Sequence, residues 1–455
     1  MEREKLSSRL GFILLSAGCA IGIGNVWRFP YVAGNSGGGL FVLLYLFFLA
    51  LMGIPVMTME FAVGRASQKS AVHSFRILEK PGQKWHLHGY LAMAGNYLLM
   101  MFYTTVAGWM LHYFYLELTG HFENMTSEQV SASFPEMLQQ PGTMMFWMIL
   151  VVVLGFAICS RGLQSGVERI TKYMMIALLV IMVILAVRSV TLPGAGEGLS
   201  FYLLPDLKQI EAIGFGNVAV AAMNQAFFTL SIGIGSMAIF GSYIGKDRSL
   251  LGESINVAVL DTFVAITAGL IIFPACFAYN VNPDSGPGLI FMTLPNIFVS
   301  MPGGRLWGSL FFLFMSFAAF STIIAVFENI MSFGMDLWGW SRKKTALINI
   351  FVVGIASIPC VLGFNVLSGF EPLRAGNTIQ DLEDFLVSNI LLPGGSLIYL
   401  LFCTSRWGWG WKNFLSEANT GKGAKLPTWL RIYASYILPI LLFVILVYGI
   451  VTYFA

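Results

Sequence analysis

Long apolar stretches recur along almost the whole chain, and they constrain its fold more than any other feature of the sequence. Each is long enough to cross the roughly 30 Å hydrocarbon core of a bilayer as a helix. Unpaired backbone groups are costly in lipid, so a bundle of helices is the expected structure. The eleven stretches lie near residues 10–35, 38–64, 87–118, 142–159, 165–188, 213–240, 250–279, 305–336, 341–362, 380–403 and 430–453.

The composition agrees with a chain that lies mostly inside a membrane. Hydrophobic residues make up 57% of the sequence and charged residues only 11%, whereas soluble domains are about one quarter charged. We therefore expect a single transmembrane domain spanning residues 1–455. The net charge of +3 is small and the basic residues form no continuous stripe, which argues against nucleic acid as a partner.

Lysine and arginine residues predict the orientation of the bundle. Cytoplasmic loops retain positive charge during insertion, and 21 of the 26 lysines and arginines fall in the N-terminal segment and in alternate loops. We therefore expect a multi-pass protein of the cell inner membrane with a cytoplasmic N-terminus. Because eleven is odd, the C-terminus is expected outside.

Two of the stretches are interrupted by glycine at Gly18–Asn25 and Ser231–Gly235. Glycine inside a helix costs about 1 kcal/mol relative to alanine, so these points need a reason. The interrupted stretches begin two successive five-helix sets, about 10–188 and 213–403. Because five is an odd number of crossings, the second set is expected to have the opposite orientation in the membrane, which makes an inverted repeat. Unwound turns at the midplane of such a repeat could bind Na⁺ and a carboxylate. The alternative is a helix-packing face formed by Gly18 and Gly22.

At these two points the sequence resembles the neurotransmitter:sodium symporter family, in particular its bacterial amino-acid transporters. The first motif is AGCAIGIGNVWRFP, from Ala17 to Pro30, and the second is NQAFFTLSIGIG, from Asn224 to Gly235. The resemblance covers nearly all of the chain. It implies an all-α leucine-transporter fold, with helices one and six unwound and one extra helix at about 430–453. The implied function is sodium-coupled symport of an amino acid by alternating access.

The resemblance also implies two sodium sites, which would use the oxygen ligands that hard cations prefer. The first sodium would contact the substrate carboxylate as well, which would couple ion to substrate. The second would use carbonyls and a Ser-Thr pair, although such hydroxyls more often bond to their own helix. The first site is expected at Ala20, Asn25, Thr229 and Asp261, and the second at Gly18, Ile21, Ala318, Ser321 and Thr322.

A substrate pocket between the two glycine-interrupted stretches is implied in the same way. The substrate carboxylate would meet N–H groups and the Tyr103 hydroxyl, and its amine would meet carbonyls. Monoamine-carrying relatives place an aspartate where this chain has Gly22, so an amino acid is expected. The apolar lining predicts a neutral hydrophobic or aromatic side chain. The expected residues are Ala20, Gly22, Ile23, Gly24, Leu99, Tyr103, Val106, Phe228, Ser231, Ile234, Thr322 and Val326.

Charged residues within membrane helices are costly and usually functional, and the resemblance assigns several of them to gates. Arg28 and Asp384 would form the external gate. Arg3, Tyr243 and Asp336 would form a cytoplasmic network that breaks when the site opens inward.

Two further glutamates lie inside predicted spans. Glu60 is expected to accept hydrogen bonds from the unwound part of the sixth stretch, whereas Glu328 has no predicted role. Leu6 departs from the family, which usually has tryptophan there, so the N-terminal latch is expected to be weaker.

The resemblance further predicts transport without chloride. Chloride-requiring relatives combine a neutral asparagine with a serine one helical turn later, and this chain has Asp261 and Ala265 at those positions. The nearby Tyr45, Gln225 and Thr229 otherwise resemble the anion site. The Asp261 carboxylate would supply the missing negative charge beside the first sodium.

An intramembrane enzyme and an amino-acid sensor are the alternatives to a transporter. The sequence contains no zinc-protease motif, nucleophile elbow or phosphate-binding loop. Its longest loops, near 119–141 and 404–429, are too short to form a sensory domain. A transporter is therefore expected, with an amino acid and the bilayer as partners and no obligate protein partner.

Overall fold

The computed structural model describes residues 4–205, 211, 213–281 and 288–454, and these residues form helices with two isolated β-bridges and no sheet. Arg3, which was assigned to the cytoplasmic gate, lies outside the described residues. The helices are α1 Arg9–Ala20, α2 Gly24–Asn35, α3 Gly39–Ser67, α4 Ala71–Leu78, α5 His86–Thr119, α6 Ser127–Leu138, α7 Pro141–Ser160, α8 Leu163–Val190, α9 Ala195–Leu203, α10 Phe215–Phe228, α11 Ser236–Gly241, α12 Leu250–Ala278, α13 Leu289–Ser300, α14 Gly304–Trp338, α15 Arg342–Leu362, α16 Ile379–Thr404, α17 Trp411–Ala418 and α18 Leu430–Phe454.

The helices of the described residues have the lengths that a membrane protein requires. Eight of them are long and apolar enough to cross a bilayer, and α1 with α2 would make a ninth span. The other two predicted spans coincide with α5 and with the pair α10 and α11. The prediction of an all-helical membrane protein is therefore confirmed, whereas the count of eleven spans stays a prediction.

The first glycine-rich point separates α1 from α2, and the two helices are bent by 57° relative to each other. Helix α1 begins at its cap Ser8, whose hydroxyl accepts a hydrogen bond from the Gly11 N–H. It ends because Ile21 adopts an extended backbone conformation. The chain becomes helical again at Gly24, so the carbonyls at the end of α1 lack helical partners.

The second glycine-rich point separates α10 from α11. Ser231, Gly233 and Gly235 all have positive φ angles there, which glycine adopts without the steric penalty that other residues incur. The buried Glu60 of α3 accepts a hydrogen bond from the Gly235 N–H at 2.7 Å, so its predicted role is confirmed. The Ser231 hydroxyl donates to the Cys19 carbonyl at 3.4 Å and thereby joins the two interruptions.

Helix α14 is the most buried of the long apolar helices, and it packs against α1, α5, α7 and α8. Helix α18, by contrast, lies at the periphery of the bundle and leaves most of its apolar residues partly or fully exposed. An exposed apolar helix is stable in lipid and would be unstable in water, which agrees with a membrane environment. The central position of α14 places its polar residues directly beside the interruption between α1 and α2.

Candidate functional site

A cluster of hydroxyl and carbonyl oxygens lies where α14 meets the end of α1. The Thr322 hydroxyl is 3.2–3.3 Å from the carbonyl oxygens of Gly18, Cys19 and Ile21. The Ser321 hydroxyl is 3.0 Å from the Ile21 carbonyl and 2.8 Å from the Ala318 carbonyl. We call this set the hydroxyl cluster; it consists of Gly18, Cys19, Ile21, Ala318, Ser321 and Thr322.

The hydroxyl cluster contains more hydrogen-bond acceptors than donors. Four carbonyl oxygens and two hydroxyl oxygens share three hydroxyl protons, those of Ser321, Thr322 and Ser231, in a buried region. Buried acceptors that lack donors are costly, and a hard cation with oxygen ligands would satisfy them. All five residues predicted for the second sodium site lie here, and the Cys19 carbonyl is an addition that the sequence reasoning missed.

A second buried cluster contains a carboxylate. Asp261 of α12 accepts a hydrogen bond from the Asn25 side-chain amide at 2.8 Å, and its other oxygen accepts from Thr229 at 3.0 Å and from the Tyr45 hydroxyl at 3.3 Å. All four side chains are fully buried. We call Asn25, Tyr45, Thr229 and Asp261 the carboxylate cluster. It connects the start of α2 with the interruption after α10.

The Asn25 amide links the carboxylate cluster to the interruption in α1. Its nitrogen faces Asp261 and Thr229, while its oxygen accepts a hydrogen bond from the Gly22 N–H at 3.2 Å. Three of the residues predicted for the first sodium site therefore lie in one hydrogen-bonded group. The fourth, Ala20, lines the neighbouring cavity.

A narrow cavity adjoins both clusters. Its volume is about 20 Å³, which is close to the space that one water molecule requires. The Tyr103 hydroxyl accepts a hydrogen bond from the Ile23 N–H at 3.0 Å beside it. A Cβ atom at Gly22 would collide with the hydroxyls of Tyr103 and Thr322, so only glycine fits there. The lining side chains must move apart to admit an amino acid.

Most of the residues predicted to bind the substrate line this cavity. Eight of the twelve expected residues line it, and Ile23 contributes through its N–H. Val106, Ile234 and Val326 are instead buried in the core and are not among the lining residues that the structure describes. Leu392 of α16 lines the cavity and was missed, because a single leucine in an apolar stretch carries no motif. The lining residues are Ala20, Gly22, Gly24, Leu99, Tyr103, Phe228, Ser231, Thr322 and Leu392.

The two residues predicted for the external gate lie near one wall of this cavity. The Arg28 guanidinium lies 4.0 Å from the centre of the Phe228 ring, which is a cation–π contact. Asp384 is near enough to act on Arg28 electrostatically, and its carboxylate accepts a hydrogen bond from Ser388 at 2.6 Å. The aromatic ring is thus the direct partner of the arginine in this conformation.

On the opposite side, an ion-pair network surrounds Glu328. Its carboxylate accepts two hydrogen bonds from the Arg342 guanidinium, at 2.7 and 2.9 Å, and one from the Tyr243 hydroxyl at 2.8 Å. Arg342 also donates to Glu4 at 3.1 Å. The predicted gate residue Asp336 accepts from the Ser70 N–H at 2.7 Å. Arg342 was missed because it begins an Arg-Lys-Lys run that was counted only as cytoplasmic charge.

Comparisons with known proteins show which family this chain resembles. The model of the sodium:neurotransmitter symporter family matches residues 3–134 and 121–455. An uncharacterized sodium-dependent transporter of Bacillus subtilis, YhdH, is 34% identical over 398 residues, which cover 87% of this chain and 86% of that relative. The sodium- and chloride-dependent GABA transporter 2 of Bos taurus is 26% identical, over 90% of this chain and 74% of that protein.

A solved structure also matches the whole chain. The crystal structure of MhsT in complex with L-phenylalanine aligns with a TM-score of 0.88 and 39% sequence identity. The alignment covers 98% of this chain and 100% of that chain. The resemblance that the two glycine-interrupted motifs indicated is therefore confirmed.

Proposed function

This chain belongs to the sodium:neurotransmitter symporter family, and on that premise we propose that it imports a neutral hydrophobic or aromatic amino acid together with sodium. The family and the solved neighbour are transporters, so the intramembrane enzyme considered above is set aside. Two sodium ions would bind, one at the hydroxyl cluster and one at the carboxylate cluster. The cytoplasmic N-terminus, the inverted repeat and the inner-membrane location are parts of the same proposal.

One observation carries this proposal: Thr322 belongs to the hydroxyl cluster and also lines the cavity. A cation bound at that hydroxyl would hold α14 against the interruption in α1, where the substrate backbone would bind. Gly22 connects the cavity in the same way to Asn25 of the carboxylate cluster. Ion and substrate would therefore both stabilise the segment between α1 and α2, so each would strengthen the binding of the other.

The chemistry of the cavity supports an amino acid with an apolar side chain. The N–H groups at the interruption and the Tyr103 hydroxyl suit a carboxylate. Leu99, Phe228 and Leu392 offer apolar surface and no charge for the side chain. MhsT, which is similar along its whole length, was crystallised with L-phenylalanine. A neutral side chain avoids the cost of burying an unpaired charge, which would exclude glutamate and lysine.

We also propose that transport needs no chloride. The Asp261 carboxylate is fully buried and lies in a cluster with no basic side chain among its hydrogen-bond partners in the described residues. Sodium would supply the opposite charge, and attraction between buried opposite charges is strong. Ala265, one turn later, is buried and offers no hydroxyl for an anion.

Opening towards the cytoplasm would require the network around Glu328 to break. The Glu328 carboxylate joins α14 to Arg342 of α15 and to Tyr243 after α11, and Arg342 in turn donates to Glu4 in the segment before α1. Closure towards the outside would instead use Arg28 and Phe228 above the cavity. Each gate would be intact when the other is open, which is alternating access.

Uptake by proteoliposomes tests the proposal directly. Purified protein is reconstituted, and radiolabelled phenylalanine is followed with an inward sodium gradient, with potassium in its place, and with gluconate replacing chloride. We expect accumulation only with sodium, undiminished in gluconate, and competition by leucine, tyrosine and tryptophan. Ser321→Ala, which removes one oxygen of the hydroxyl cluster, is expected to lower this uptake. Ser316→Ala is its matched control, because Ser316 is buried in the same helix and its hydroxyl has no partner among the described residues. Uptake that is independent of sodium, or that is inhibited only by glutamate or lysine, would contradict the proposal.

A further inference from the structure

A second cavity lies at the C-terminal end of α5, on the side that the charge distribution predicts to be external. Its volume is about 350 Å³, far larger than that of the central cavity. It is separate from the central site, because Glu117 in its wall follows Tyr103 by fourteen residues, or about 20 Å along a helix. None of the described residues assigned to sodium, substrate or gates lines it.

The wall of this external cavity contains a buried carboxylate. Glu117 is only 3% exposed, and its Oε1 atom has no hydrogen-bond partner among the described residues. The carboxylate lies against Gly308 of α14, where a Cβ atom would collide with it. Glycine at that position therefore makes the space in which Glu117 lies. A buried carboxylate without a partner is costly, so a cationic ligand would stabilise it.

Arg305, the one arginine among the described residues of the wall, does not supply that partner. Arg305 donates hydrogen bonds to the Leu118 carbonyl at 2.7 and 3.1 Å, and its nearest carboxylate contact is Glu123 at 3.6 Å. Both residues line the cavity, and their side chains are more than half exposed, at 52% and 56%. Arg305 thus offsets the charge of Glu123 and leaves that of Glu117 unpaired within the described residues.

Aromatic walls distinguish an organic cation from a metal ion as the ligand. Phe122 and Phe298 line the cavity and are otherwise buried. Aromatic faces attract ammonium groups and pack against hydrocarbon, whereas a metal ion needs several oxygen ligands. The described residues contain no group of three or more acidic, histidine or cysteine side chains that could hold a metal.

We propose that the external cavity binds a small organic molecule with a primary ammonium group. The ammonium group donates to the Glu117 carboxylate, and the hydrocarbon part packs against Phe122 and Phe298. The ligand bridges the outer ends of α5 and α14, the helices that carry Tyr103 and Thr322 of the central site. Binding at this cavity is independent of the transport function proposed above.

The test uses full-length purified protein in detergent and phenethylamine as the probe, with its neutral counterpart 2-phenylethanol. Sodium is replaced by potassium so that the central site is not favoured. Calorimetry and thermal unfolding are expected to show saturable binding of phenethylamine and a rise in Tm, and neither effect with the alcohol. Glu117→Gln, which keeps the shape of the side chain, is expected to weaken binding at least about tenfold, as the loss of one charged contact predicts.

Glu136→Gln is the matched control, because Glu136 is an exposed glutamate on α6 and is expected to leave binding unchanged. Gly308→Ala is a second variant that moves the carboxylate without removing it, and it is also expected to weaken binding. Equal binding of amine and alcohol, or undiminished binding by Glu117→Gln, overturns the proposal. Displacement of the probe by phenylalanine in sodium buffer assigns it to the central cavity and likewise overturns it. A Glu117-dependent rise in Tm with calcium but not with phenethylamine also overturns the proposal, because it would show that the cavity binds a metal ion and not an ammonium group.

Discussion

The hydroxyl cluster and the carboxylate cluster both adjoin the interruption between α1 and α2, yet they would provide a cation with different ligands. The hydroxyl cluster is neutral, and its carbonyls exceed the protons available to them. The carboxylate cluster carries a formal charge, and three side chains already donate hydrogen bonds to Asp261. A cation bound at the first would take the place of hydrogen bonds from neutral hydroxyls. A cation bound at the second would compete with side chains that already donate to a carboxylate.

This difference indicates how strongly each cluster should respond to substitution. If sodium binds at the carboxylate cluster as proposed, most of its attraction would come from one charge, so loss of that charge should have the largest effect. At the hydroxyl cluster the attraction would be divided among several neutral oxygens, so loss of any one should have a smaller effect.

The largest effect is expected for Asp261→Asn. Removing one member of a buried charge pair costs about 3–5 kcal/mol, which corresponds to a loss of sodium-driven uptake of at least about 100-fold. Uptake is measured in chloride-free gluconate buffer, in which the wild type is expected to remain active. Asp247→Asn, at an exposed aspartate, is the control. Normal uptake by Asp261→Asn in gluconate would remove the distinction between the two clusters.

A smaller effect is expected for Thr322→Ala. It removes one neutral oxygen from the hydroxyl cluster, and a hydrogen bond or contact to a charged group is worth about 1.5–3 kcal/mol. The sodium concentration for half-maximal uptake should rise about 10- to 100-fold. Thr345→Ala is the control, because Thr345 is equally buried but its hydroxyl donates to the Ser341 carbonyl of its own helix. A larger loss than that of Asp261→Asn would reverse the proposed order.

Gly22→Ala tests the cavity between the clusters. The added methyl group collides with the hydroxyls of Tyr103 and Thr322, and overpacking typically costs about 1–3 kcal/mol. Phenylalanine binding, measured by scintillation proximity with saturating sodium, should weaken about tenfold. Gly354→Ala is the control, because a Cβ atom there meets nothing within 4 Å. Unchanged affinity would show that the substrate does not require the close approach at Gly22.

The smallest effect is expected for Tyr45→Phe. Its hydroxyl is the most distant of the three side-chain donors to the Asp261 carboxylate, at 3.3 Å, and loss of such a bond costs about 1 kcal/mol. The apparent sodium affinity should fall about three- to fivefold. Tyr202→Phe is the control, because that hydroxyl donates to the Ile266 carbonyl in the same helix as Asp261. A loss as large as that of Asp261→Asn would mean that the hydroxyl, and not the charge, dominates this cluster.

The sequence by itself determined the helical membrane fold, the two points where helices break and the identity of most polar residues beside them. These properties depend on local rules: apolar stretches match the bilayer, and glycine marks backbone that an ordinary helix cannot form. The Gly-Ile-Gly segments and the Ser321-Thr322 pair could therefore be recognised from short motifs alone.

Only the tertiary structure decided which side chains face the cavity and which charges pair. Val106, Ile234 and Val326 are buried and are not among the described residues that line the cavity, whereas Leu392 lines it. Glu328 and Arg342 are fourteen residues apart in sequence yet form a buried ion pair. Such contacts depend on how each helix is rotated and where a neighbouring helix lies. A shift of a few ångströms in the position of one helix relative to another changes these contacts, although the local conformational preferences of the sequence stay the same.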